Sequence, residues 1–120
     1  MKAVTIGIEL AGSVPGSEFS RFFVQGMADR MAMSFHKYGN VSAAYPRKVD
    51  AIGSLEIRLC KYQETGNTEF LMDVANFAMI EFMHPRHIGA YFKATDSLES
   101  PGRKWFGDID PTKTRRNEEF

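Results

Sequence analysis

One cysteine, Cys60, in 120 residues leaves no internal disulfide and no multi-cysteine metal framework. It falls among apolar residues of a helical segment, where a buried, inert thiol is expected. An excess of either charge is also missing, since fifteen Lys and Arg balance fifteen Asp and Glu. That balance removes bulk attraction to a nucleic-acid backbone and leaves only local basic patches to consider. No apolar run approaches the roughly 20 residues that span a bilayer. Nor does an apolar leader with a cleavage site follow Met1-Lys2, so the expectation is a cytoplasmic protein with no membrane partner. The chain has no G-x-G-x-x-G, no Walker A pattern, no nucleophile elbow and no Cys-His pair, which excludes the phosphate loops and covalent hydrolase sites that carry a sequence signature.

What is present is an ordinary globular composition, 43% hydrophobic and 25% charged. The length suits a single domain over 1–120, with a strand at 1–11, a helical core at 17–83 and an extended tail at 84–120. Val4, Ile6, Ile8 and Leu10 alternate with small or polar residues, a period of two that predicts the strand. Its partner would be Ala90–Lys93 or the same strand of a second copy. From Ser17 to Tyr38, Phe19, Phe23, Met27, Met31, Phe35 and Tyr38 recur at helical spacing, with Ser17 as a plausible cap. Pro46 suits the first turn of a second helix ending near Glu64, with Val49, Ile52, Leu55, Leu59 and Tyr62 as its apolar stripe. Asn67 or Thr68 caps a third helix, which stops near Met83 because Pro85 disfavours helical geometry just before itself. The fold class read from this pattern is mainly α: a three-helix core with one N-terminal strand and an irregular C-terminal tail, completed by oligomerisation.

The third helix, EFLMDVANFAMIEFM, is apolar on nearly every side. At 100° per residue, Glu69, Asp73, Asn76, Ile80 and His84 share one stripe about 80° wide. A helix of this kind sits centrally in a bundle or at a dimer interface. Its polar stripe is then either a wetted edge or a partly buried network. A buried Asp73 requires a partner, for which Lys37, Arg58, Arg86 and Arg103 are the candidates. Alternatively, Glu69 and Asp73, one turn apart, reach one hard cation such as Mg²⁺, with Asn76 on the ligand. Beyond the helix, Arg86 of His84-Pro-Arg-His87 suits a phosphate or carboxylate, with His84 near the helix end. Arg103-Lys-Trp-Phe106 pairs cations with aromatics, which suits either a stacked base or an anchor for the tail.

TGNTEFLMDVANFAMIEFMHPRH, together with HKYGNV and ATDSLESPGR, resembles a family of small uncharacterised proteins of phages and actinobacteria. The likeness covers residues 25 to 103 and carries no established activity with it. LMDVANFAMI is also distantly similar to the Asp-(Leu/Val/Ile)-Ala-Asn-(Tyr/Phe)-Ala segment of phage proteins related to MazG-like all-α nucleotide pyrophosphohydrolases. That resemblance implies a Mg²⁺-dependent pyrophosphohydrolase acting on nucleoside triphosphates. Glu69 and Asp73 would be its metal and catalytic residues, Asn76 would meet the ligand, and Lys37, Arg58 and Arg86 would meet phosphates. The family's first acidic motif, Glu-x-x-Glu, has no counterpart in 17–38, which offers Glu18 and Asp29. The competing expectation is a non-catalytic phage accessory protein, of anti-defence type, that binds a nucleotide-like signal or a host protein and inhibits it. Either protein is expected to be a homodimer or higher oligomer in the cytoplasm of a bacterial host.

Overall fold

The structure, a computed structural model, describes residues 7–10 and 12–103. Two compact units divide the chain, Met1–Ala90 and Tyr91–Phe120. Among the described residues the first holds four α-helices: α1, Arg21–Tyr38; α2, Val41–Ala44; α3, Ala51–Thr65; and α4, Glu69–Met83. The described part of the second, residues 91–103, has neither helix nor strand. Its one organised feature is a turn in which Asp96 Oδ1 accepts from the backbone N–H groups of Leu98 and Glu99.

The expected N-terminal strand is not found among the described residues. Residues 7–10 are irregular, and the remainder of that alternating segment lies outside the described residues apart from the turn at Gly12. A strand needs a neighbour to satisfy its backbone groups, and the proposed partner at 90–93 is itself irregular. No helix among the described residues is long and apolar enough to cross a membrane.

Each long helix begins where a side chain supplies the first missing acceptor. Ser20, rather than Ser17, caps α1 by accepting from Phe23 N–H at 3.0 Å, and Gly16–Glu18 forms a separate short turn. Asp50 caps α3 through Gly53 N–H at 3.0 Å. The second long helix therefore starts five residues later than Pro46 suggested, because a carboxylate that accepts outweighs a proline that merely tolerates the position. Asn67 Oδ1 accepts from Glu69 N–H at 3.0 Å at the entry to α4. Gly66 ends α3 with φ +75°, a left-handed conformation that a side chain would strain.

α4 is central, as its composition predicts: it packs against both α3 and α1. Every residue from Phe70 to Phe77 is buried or half-buried. The side turned inward is nevertheless the polar stripe. Asn76 and Ile80 are two of the three buried residues among those described, the other being Ala51. Opposite them, Leu71, Ala75, Ala78 and Phe82 form an apolar stripe whose last member is 70% exposed.

α3 shows a related shift. Its inward face is Ala51, Leu55, Arg58 and Tyr62, while Ile52 and Leu59 of the expected stripe are exposed. Cys60 is exposed as well, contrary to the buried thiol expected of it. An arginine drawn inward at 58 rotates its apolar neighbours outward.

Candidate functional site

Asp73 lies half-buried on α4 between two guanidinium groups. Arg30 of α1 donates through Nε to Oδ1 at 2.8 Å, and Arg58 of α3 donates through Nε to Oδ2 at 3.2 Å. Arg30 also reaches Glu69 Oε2 through Nη1 at 2.9 Å, one turn back along α4. One carboxylate thus ties all three long helices together. The hydrogen bond Arg30 donates to Asp73, joined by the charges of Asp73 and Glu69, holds the Arg30 guanidinium above its ordinary pKa against the opposing effect of burial.

Arg58 has two further neighbours. Its guanidinium stands 5.7 Å from the Phe77 ring centroid, a cation–π distance. Its charge also acts on Tyr45, in the segment between α2 and α3. Burial raises the Tyr45 phenol above its ordinary pKa, and Arg58 partly opposes that rise.

One turn beyond Asp73, Asn76 donates through Nδ2 to the Met27 carbonyl of α1 at 3.1 Å. Its Oδ1 is buried with no hydrogen-bond partner. An acceptor left so typically costs about 1–3 kcal/mol, so this atom is the natural seat of an internal water or a donated hydrogen bond.

The structure brings together Glu69, Asp73, Asn76 and Arg58 of the residues expected to form a site. Lys37 instead lies over the neighbouring Tyr38 ring, 5.4 Å from its centroid, at the exposed end of α1. His84 closes α4, its backbone N–H donating to Ile80 O. Arg86 pairs with Asp50 at 3.6 Å rather than with Asp73, and its backbone N–H donates to Glu81 Oε2 at 2.8 Å. Arg103 is exposed and belongs to the second unit, while Lys104, Trp105 and Phe106 lie outside the described residues. The residue missed was Arg30. It stands one helical turn from Met27 and two from Phe23, on the face that α1 turns inward, where a lone cation reads only as an interruption of the apolar pattern.

The donor set does not suit Mg²⁺ as arranged. Both oxygens of Asp73 and one of Glu69 already accept from arginine. Among the described residues no three His, Cys, Asp or Glu side chains gather where a cation would sit. A hard cation takes about six oxygen ligands, so it would have to displace two guanidinium groups and recruit more donors. No family model, curated protein or solved structure matches the chain.

Proposed function

We propose that the protein is a non-catalytic helical module that binds a nucleotide-like, phosphate-bearing ligand in the cytoplasm of a phage-infected host, as an accessory factor that withholds that ligand from the host. The observation that carries the choice of binding over catalysis is the double arginine clamp on Asp73. The acid that a pyrophosphohydrolase would use for metal is spent here on holding three helices in register. The likeness of Asp73-Val-Ala-Asn-Phe-Ala to nucleotide-directed proteins supports the ligand class.

The same reading includes self-association. What supports it is the thin interior, three buried residues among those described, beside the outward stripe that ends at Phe82. An apolar stripe containing two alanines allows two copies of α4 to approach closely.

The test uses the purified full chain with a panel of nucleoside triphosphates, with and without Mg²⁺, following pyrophosphate release and thermal shift together. The expected outcome is a saturable thermal shift without turnover. Turnover abolished by Asp73→Asn would replace binding by catalysis. Silence in both assays would remove the nucleotide and leave a host protein as the partner.

A further inference from the structure

A second charged locus lies at the start of α3. Pro46, Arg47, Lys48, Val49, Asp50 and Arg86 line a hollow of about 520 Å³, within the range of small-molecule sites. Three of the six residues are cations and one is an acid, in a chain whose overall charge is zero. The cations come from two separated segments, the loop before α3 and the turn after α4.

Their present partners leave much donor capacity in place. Arg86 meets Asp50 at 3.6 Å, well beyond the 2.7–2.9 Å of a strong charge-assisted hydrogen bond. Asp50 is divided between tasks, with Oδ1 capping Gly53 N–H and Oδ2 facing Arg86. Neither Arg47 nor Lys48 pairs with a carboxylate among the described residues. Three cations beside one acid, which pairs with Arg86 alone, leave a local excess of positive charge in a concave surface. Such a surface favours a compact oxyanion with several acceptor oxygens, and a planar guanidinium adds two-point contact.

From this hollow we infer a phosphate-binding site, with Arg47, Lys48 and Arg86 as its donors and the terminal phosphate of a small molecule as its ligand. Asp50 is its built-in competitor: the anion takes over Arg86, while Oδ1 continues to cap α3. The loop that carries Arg47 and Lys48 follows directly on Tyr45, which feels the charge of Arg58. The site shares no residue with the arginine clamp. Only the nucleoside portion of the ligand rests on the function proposed above; the phosphate contact stands on the hollow itself.

The test is a titration of the full-length protein with inorganic phosphate, followed by backbone amide shifts in heteronuclear NMR at constant ionic strength. Chloride serves as the control and ATP as a second probe. Saturable shifts are expected at 47–53 and 86–89. Replacing Arg47, Lys48 and Arg86 by Gln together should weaken phosphate binding by at least about tenfold, the loss expected of one charge-assisted hydrogen bond or more. Lys61→Gln, which removes a charge from the exposed side of α3, should leave affinity within about twofold, the range of diffuse screening. Asp50→Asn keeps a capping oxygen but removes the competing charge, so phosphate should bind more tightly, an effect that a merely structural role would not produce.

Shifts scattered over the surface, or equal affinity in the triple variant, would overturn the site. ATP bound equally by wild type and triple variant would also overturn it, while leaving the proposed function standing. Phosphate held in the hollow with no binding of ATP would sustain the site and remove the nucleotide.

Discussion

Asp73 accepts from two helices at once, so its loss acts in two places. Asp73→Asn leaves Arg30 and Arg58 facing an amide, with about a fifth of the original side chain's surface exposed. Breaking a fully buried pair costs about 3–5 kcal/mol, and partial exposure lowers the figure here to about 2 kcal/mol of lost stability, read by urea denaturation. Glu69 is 57% exposed on its side chain, and Glu69→Gln should cost less than about 1 kcal/mol. Equal losses from the two changes would show that Asp73 holds no special place.

Tyr45 provides a pH signature at the same scale. Burial raises its pKa in the folded chain, so the native state retains the phenol proton more tightly than the unfolded chain does. That contribution is fully present below the unfolded value of about 10 and is lost as the pH climbs through the raised value. Between about pH 8 and pH 11, wild type should lose stability faster than Tyr45→Phe, with the divergence confined to the alkaline end. Parallel curves would mean that the phenol is no better shielded than in the unfolded chain.

At the scale of elements, α1 meets α4 without a side chain at Gly26. A Cβ placed there would lie 2.5 Å from Met72 Sδ and 2.6 Å from its Cε. Met72 is flexible, so Gly26→Ala should change stability by less than about 1 kcal/mol, with the gain in helix propensity offsetting the rearrangement. Gly26→Val exceeds what the thioether can yield and should cost about 2 kcal/mol, part of which Met72→Ala recovers. The same penalty with and without Met72 would place the clash elsewhere.

The elements differ in how much of them was legible. The three long helices and the central position of α4 followed from spacing and breakers, because a 15-residue helix repeats its period of about 3.6 residues several times. α2 is four residues long and too short to show a period. The start of α3 was misjudged because two start signals, Pro46 and Asp50, stood close together, and only geometry shows which one caps. The strand has no counterpart among the described residues, since alternation describes one half of a pairing whose other half must exist. In the candidate site, Asp73, Asn76 and Glu69 were legible from their shared stripe. Arg30 was not, since a cation on an apolar face reads as interruption until its acid arrives from another helix.

For the whole molecule, the decisive feature is that only Ala51, Asn76 and Ile80 are buried among the described residues. Phe22, Met33, Tyr38 and Ile57 are exposed, so much of the apolar surface meets water before unfolding begins. Calorimetry should register this directly. Unfolding raises heat capacity mainly by wetting apolar surface, typically by about 12–15 cal/mol/K per residue. A dilute solution of this protein should fall below that range, with a shallow stability curve and a broad melting transition. Raising the protein concentration should move the heat-capacity step upward if copies cover one another's stripes, because melting then wets surface that pairing had dried. A monomer with a full-sized step would require a drier interior than α1, α3 and α4 enclose. The polar side that α4 turns inward thus becomes a thermal property: a chain rich in greasy residues that melts as though it had few.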